Sequence, residues 1–161
     1  MAYLIRKSQK DDVKQIQKIA HKSWHATYEG IIPLEIQNQF LSSAYSDEML
    51  HRRIFHSLFL VAEEKEEILG FANFSPVKGE GEMELGAIYL SPEQQGKGIG
   101  SALLEKGVQL SPDARTVFIN VEKDNQIGKR FYEAKGFKVI SEFDDNFDGH
   151  LLKTIRMMLV L

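Results

Sequence analysis

A glycine-rich segment, Gln95–Gly100, restricts the fold of this chain more than any other feature. It follows a strand-like run over 83–90 and precedes apolar residues at helical spacing. A strand, a glycine turn and a helix in that order aim backbone N–H groups and the positive end of the helix dipole at one point. Because glycine has no Cβ, a pyrophosphate can approach the turn closely. The segment therefore predicts an anion-binding turn.

Two common nucleotide-binding patterns do not fit this turn. A Walker A loop requires a glycine where the chain has Ser91, and a serine or threonine after Lys97, where the chain has Gly98. The dinucleotide pattern G-x-G-x-x-G, started at Gly96, ends on Ser101. Both patterns are excluded.

The turn resembles the acetyl-CoA loop of the GNAT superfamily of N-acetyltransferases, [RQ]-x-x-G-x-[GA], through Gln95, Gly98 and Gly100. A second segment, over 125–137, is similar to the family's N-x-x-A-x-x-F-Y-x-x-x-G-F motif and departs from it only at Gly128, where alanine is usual. Glycine in a helix costs about 1 kcal/mol relative to alanine, so this helix would be looser. The two motifs stand in the expected order, about 25 residues apart.

The resemblance implies acetyl-CoA as co-substrate. The turn would bind its pyrophosphate, and the asparagine that opens the second motif would contact the pantetheine arm. Lys97 and Lys129 would add positive charge. The predicted acetyl-CoA-binding residues are Ile88, Tyr89, Leu90, Gln95, Gly96, Lys97, Gly98, Ile99, Gly100, Ser101, Asn125 and Lys129.

Acetyl transfer to an amine requires a proton acceptor, a stabilised carbonyl oxygen and a proton donor for the thiolate. GNAT members similar to this chain carry a glutamate eleven residues before the position of Gln95, which implies Glu84 as the base; Glu82 is the alternative. Strand alternation would place Glu84 and Gly86 on one face with Ile88 and Leu90, unless a bulge interrupts it. The family's tyrosine that protonates the thiolate corresponds to Tyr132. A backbone N–H of segment 88–90 would stabilise the oxyanion.

The acceptor is predicted from the segment 23–33, which resembles bacterial members likened to polyamine acetyltransferases. Its aromatic and acidic residues suit a cationic amine through cation–π contacts and charge pairing, and Trp24, Tyr28 and Glu29 are the predicted substrate-binding residues. Asp144, Asp145 and Asp148 would add to that attraction. The alternatives are acetylation of a protein or peptide amine, and a non-catalytic acyl-CoA-binding sensory domain.

Apolar periodicity and turn residues predict one α/β domain over 1–161, with a mixed, mostly antiparallel sheet and helices on both faces. The resemblance adds central strands that splay apart to admit the pantetheine arm. Asp47 would cap the third helix. Predicted strands cover 3–7, 58–62, 68–74, 83–90, 116–121, 138–143 and 151–161, and predicted helices begin near residue 8 and cover 34–42, 48–57, 98–109 and 125–135.

Composition excludes several functional classes. The chain has 161 residues with no cysteine, which rules out disulfides and a cysteinyl acyl-enzyme and favours direct attack in a ternary complex. Its net charge of −3 does not favour binding to the negatively charged nucleic acids. Its five histidines form no H-E-x-x-H metal motif. Without a signal peptide or a membrane-length apolar run, a cytoplasmic location is expected. The apolar last strand would either pair across a homodimer or close the sheet.

Overall fold

The structure, a computed structural model, describes residues 2–161. Its strands form one seven-stranded sheet with the spatial order β1-β2-β3-β4-β5-β7-β6. The strands are β1 Leu4–Lys7, β2 Leu58–Glu64, β3 Glu67–Phe74, β4 Glu82–Leu90, β5 Thr116–Glu122, β6 Lys138–Phe147 and β7 His150–Val160. The α-helices are α1 Val13–Tyr28, α2 Leu34–Ala44, α3 Asp47–His56, α4 Ile99–Gln109 and α5 Gln126–Ala134. The predicted element order is confirmed.

Helices cover both faces of the sheet, as predicted. Apolar residues of α1, α2 and α3, among them Ile16, Leu41 and Leu50, share one buried cluster with β2 and β3. On the other face, Leu103 and Leu104 of α4 pack against the central strands. Each helix of residues 2–161 falls short of the length and apolarity needed to cross a bilayer.

The central strands β4 and β5 are parallel, whereas all other neighbouring strands are antiparallel. Their pairing covers Glu82–Glu84 opposite Thr116–Phe118 and ends there. Beyond Glu84 the two strands separate, so the β5-facing side of the rest of β4 has no strand partner. The predicted splay is therefore present, and it opens a cleft in the middle of the sheet.

A one-residue bulge in β4 changes which side chains face which layer. Asn73 of β3 pairs with Ala87 and Phe74 pairs with Leu85, so Gly86 is the extra residue. Before the bulge Leu85 packs on the α4 face, and after it Ala87 lies on the α1 face. Of the two arrangements expected for Glu84, the regular alternation with Gly86, Ile88 and Leu90 is not observed, and the interruption by a bulge is: it shifts the alternation by one residue. Glu84 lies instead on the α1 face of the sheet, as Ala87 does.

Two local predictions are corrected. The cap of α3 is Ser46 rather than Asp47, because the Ser46 hydroxyl accepts the Met49 N–H at 3.1 Å. The predicted strands 138–143 and 151–161 leave 144–150 outside the sheet, but β6 continues to Phe147 opposite His150, and only Asp148 and Gly149 form the turn. Polar residues are tolerated in β6 because it is the edge strand of the sheet.

The last strand, β7, lies between β5 and β6. It pairs with β5 from Thr154 to Val160 and with β6 from His150 to Met158. Of the two roles predicted for this strand, closing the sheet is the one observed.

Gly107 provides a test of the packing between α4 and β3. An added Cβ would lie 2.2 Å from the ring of Phe74, which is fully buried. We expect Gly107→Ala to lower the free energy of unfolding by about 1–3 kcal/mol through overpacking, against a gain in helix propensity of about 1 kcal/mol. Denaturant unfolding measures it, with the exposed Gln109→Ala of the same helix as control. A more stable Gly107→Ala would contradict this packing.

Candidate active site

The cleft between β4 and β5 contains a cavity of about 530 Å³. Its walls come from the C-terminal half of α1, the second half of β4, the end of β5 and the start of α5. Predicted site residues that line it together are Tyr28, Ile88, Tyr89, Leu90, Gln95, Gly100, Asn125 and Tyr132. The structure thus brings residues from both sequence motifs and from α1 into one cavity.

Other predicted residues lie outside this lining. Ile99 is buried in the core on the α4 side, and Lys97 is exposed, donating to Gln94 Oε1 at 3.3 Å. Glu29 is exposed just past the end of α1. Six further predicted residues are not among those that line the cavity: Gly96, Gly98, Ser101, Lys129, Glu84 and Trp24.

The glycine turn at the end of the cavity leaves its backbone accessible. Gly96 and Gly98 have φ of +78° and +80°, and a Cβ at either would meet no atom within 4 Å. The first α-helical bond of α4 runs from the Ala102 N–H to the Gly98 carbonyl at 3.1 Å. The N–H groups of residues 99–101 therefore precede the helical ladder and are available to an anion.

Asn125 begins α5 as its N-cap. Its Oδ1 accepts the Gly128 N–H at 3.0 Å, and its side chain folds over Gly128. A Cβ at Gly128 would lie 2.7 Å from Asn125 Nδ2. An alanine at this position would therefore require the Asn125 amide to shift.

Tyr132, on α5, packs against Phe131 and Phe137 at ring-centroid distances of 5.4 and 5.5 Å. Burial raises its pKa above the ordinary 10.0, and burial raises the pKa of Tyr28, across the cavity, to about 12. Both phenols therefore keep their protons at neutral pH. A protonated hydroxyl in such a cavity can donate to a leaving thiolate.

Glu84 forms an ion pair that sequence spacing does not reveal. Arg156 Nη1 donates to Glu84 Oε2 at 3.0 Å and to Asn120 Oδ1 at 3.1 Å, and Arg156 Nη2 donates to Glu84 Oε1. Asn120 lines the cavity. The alternation of polar residues along β5 could have identified Asn120, whereas nothing in the sequence links Arg156 to a glutamate 72 positions earlier.

Glu122, at the end of β5, is a second carboxylate that the sequence prediction missed. It is only 7% exposed, and its Oε2 accepts the Asp124 N–H at 2.7 Å. Burial raises its pKa, and the charge of Asp124 adds to that rise. The hydrogen bond to Asp124 holds the turn that leads into Asn125.

Aromatic side chains join the last hairpin to helices α1 and α2. Phe147, next to the β6–β7 turn, lies 5.9 Å from Trp24 of α1 and 5.1 Å from Phe40 of α2, between ring centroids. Trp24 also stacks on Phe40 at 4.4 Å and lies 4.6 Å from Tyr28. The last hairpin therefore reaches across the cleft to the α1–α2 layer. We call this Trp24–Phe40–Phe147 contact the aromatic bridge.

The family follows from a sequence comparison. Residues 17–137 match the model of the acetyltransferase (GNAT) family, which is most of the chain. The chain belongs to the GNAT family. Its co-substrate is acetyl-CoA, and its activity is that of an N-acetyltransferase.

Relatives and solved structures agree with this assignment. The chain is 31% identical to a spermidine N(1)-acetyltransferase of Thermoplasma acidophilum, over 86% of this chain and 90% of the relative. It is 28% identical to the peptidyl-lysine N-acetyltransferase YjaB of Escherichia coli, over 90% of each. The crystal structure of the PaiA N-acetyltransferase of Thermoplasma acidophilum in complex with coenzyme A superposes with a TM-score of 0.85 over all of both chains, at 28% identity.

For this GNAT domain, Gly98 tests whether the open turn binds the diphosphate. Gly98→Ala would place a methyl group beside the free N–H groups, and we expect coenzyme A to bind about tenfold more weakly, since a hydrogen bond to a charged group is worth about 1.5–3 kcal/mol. Titration calorimetry with coenzyme A measures it. Gly149→Ala is the matched control, because Gly149 has φ of +84° and open space at its Cβ but lies in the β6–β7 turn. An equal loss of coenzyme A affinity in the two variants would contradict binding of the diphosphate by this turn.

Proposed function

We propose that this acetyltransferase transfers the acetyl group of acetyl-CoA to a primary amine of a small cationic acceptor, such as a polyamine. The transfer occurs by direct attack within a ternary complex. The observation that carries this proposal is the aromatic bridge over the cleft, combined with carboxylates on the same face of the sheet.

The aromatic bridge favours a slender acceptor. Phe147 contacts α1 and α2 from the opposite side of the cleft, and Leu152 of β7 is buried in the same cluster. An acceptor must therefore reach the thioester beneath or beside a packed aromatic contact. A narrow aliphatic amine fits this restriction better than the surface of a folded protein does.

Negative charge on this face favours a cation. Asp124 lines the cavity, and Glu122 lies buried just before it. Asp145 pairs with Leu152, which belongs to the α1-side cluster, so Asp145 shares that face. Asp144, in contrast, lies 3.6 Å from Lys153 and alternation places it on the opposite face. Of the acidic residues predicted to attract an amine, Asp145 is the one best positioned to do so.

The proposed chemistry assigns one role to each group. Glu84 accepts one proton of the ammonium, the amine nitrogen bonds to the thioester carbon, and a backbone N–H of segment 88–90 stabilises the oxyanion. The C–S bond then breaks, and Tyr132 donates its phenolic proton to the thiolate. The nitrogen of the new amide loses its surplus proton to the resulting tyrosinate, which restores the phenol, and Glu84 releases the proton it accepted to water. Asn125 contacts the pantetheine arm, and the glycine turn with Lys97 and Lys129 binds the phosphates. Tyr28 forms the aromatic wall of the acceptor site, and Trp24 supports it from behind at 4.6 Å between ring centroids. Glu29 lies at the surface just past the end of α1.

An amine panel tests the acceptor class. We expect thiol release from acetyl-CoA to be fastest with spermidine and slowest with a lysine-containing peptide. An alkyl monoamine of similar length, which lacks the further amino groups of spermidine, should give an intermediate rate. The preference for spermidine should weaken at high salt, because screening reduces attraction by exposed carboxylates. Release with the peptide alone would favour a protein amine as acceptor, and binding of acetyl-CoA without any release would favour a sensory domain.

Phe147→Ala extends this test to the aromatic bridge. Opening the bridge should raise kcat/KM for the peptide relative to spermidine. Phe143→Ala is the matched control, since Phe143 lies on the same strand and face but is 40% exposed and outside the aromatic cluster. A Phe147→Ala variant with an unchanged acceptor preference would refute the role of the bridge.

Tyr132→Phe tests the proton donor. We expect kcat to fall by about 10²–10⁴-fold, the usual contribution of a general acid, while the Kd of acetyl-CoA stays the same. Single-turnover thiol release measures this effect. Tyr45→Phe is the control, because Tyr45 is also buried but lies in the core beside Arg53. Full activity of Tyr132→Phe would remove Tyr132 from the mechanism.

A further inference from the structure

The Arg156 guanidinium is held on three sides at one point of the sheet. It forms a two-pronged pair with the Glu84 carboxylate and shares Nη1 with Asn120 Oδ1 at 3.1 Å. The Arg156 Cζ atom lies 4.7 Å from the centre of the Phe118 ring. A guanidinium is planar and donates two parallel hydrogen bonds, so it fixes the orientation of the paired carboxylate as well as supplying charge. A lysine ammonium supplies the charge alone.

This contact lies where the sheet divides. Glu84 pairs with Phe118 at the last paired position of β4 and β5. Arg156 of β7 pairs with Asn120, which lies two residues further along β5. The ion pair therefore connects β4, on one side of the cleft, to β7, on the other. It adds a side-chain tie to a strand junction of only three residue pairs.

The pair also leaves Glu84 able to act. Each carboxylate oxygen has two lone-pair positions, so two donated hydrogen bonds leave acceptor positions free. The side chains of Glu84 and Arg156 are 36% and 26% exposed, so an incoming ammonium or a bridging water can reach the carboxylate. In the same arrangement Asn120, which lines the cavity, accepts a hydrogen bond from Arg156 at Oδ1.

We propose that Arg156 is a positioning residue for acetyl transfer. It holds the Glu84 carboxylate and the Asn120 amide in a fixed relation at the apex of the cleft, on the face where the acceptor enters. This inference rests on the proposed role of Glu84 as proton acceptor. Arg156 acts through Glu84 rather than on the substrate, and it does not contribute to binding of the coenzyme phosphates at the glycine turn.

A mutant cycle tests this coupling. We expect Arg156→Met to lower kcat/KM for the amine by about 10²-fold, the scale of a misplaced reacting group, with the Kd of acetyl-CoA unchanged. Arg156→Lys should lose about tenfold, because it keeps the charge but not the fork. The double variant Glu84→Gln/Arg156→Met should be no slower than Glu84→Gln alone, since both changes remove the same function.

Arg6 supplies the matched control. It makes an equally forked pair with Asp12, at 2.8 and 2.9 Å, and is 22% exposed, but it ties β1 to the start of α1, away from the cleft. Arg6→Lys should lose thermal stability as Arg156→Lys does, yet keep the wild-type kcat/KM. Because both variants lose stability, the difference in kcat/KM between them separates a positioning role from a purely structural one.

The outcomes are distinct. Two results would overturn the positioning role and leave the proposed function intact. One is a double variant whose loss in kcat/KM is the product of the two single losses. The other is a fully active Arg156→Met alongside an inactive Glu84→Gln. A fully active Glu84→Gln would overturn both the base assignment and this inference. A wild-type protein that releases no thiol with any amine would instead refute the proposed function and, with it, the inference.

Discussion

The structure depends on one short parallel junction. Residues Glu82–Glu84 of β4 pair with Thr116–Phe118 of β5, and the strands then separate. If the pairing had continued, the two halves of the sheet would have formed a closed surface without a cavity. Because it stops, unpaired backbone of β4 faces a cavity into which the pantetheine arm and the acceptor can both extend. The start of α5 and the C-terminal half of α1 complete its walls.

The functional groups are distributed around this separation. The glycine turn lies at one end, where the first N–H groups of α4 are free for an anion. Tyr132 faces the cavity from α5, and burial raises its pKa so that the phenol retains its proton. Glu84 sits at the apex, tied to Arg156, on the face closed by the aromatic bridge. Coenzyme and acceptor are thus expected from different directions, as a ternary complex requires.

The fold, the glycine turn before α4 and the cavity position of Tyr132 could be predicted because local patterns specify them. The turn requires glycines at particular positions, and Asn125 and Tyr132 are two helical turns apart in one helix. The face of Glu84 stayed open in the sequence, because regular alternation and a bulge place it on opposite faces; the extra residue Gly86 shifts the alternation of β4. A bulge depends on the pairing with β3, and nothing in β4 alone reveals that pairing.

The sequence by itself determined the order of the elements, the glycine turn before α4 and the family, since these depend on residues close together in the chain. Only the tertiary structure decided the partners of those residues. Arg156 reaches Glu84 because β7 lies beside β5, and Phe147 reaches Trp24 because the last hairpin crosses the cleft. Such contacts join positions far apart in the chain, so they follow from strand order and twist rather than from local spacing.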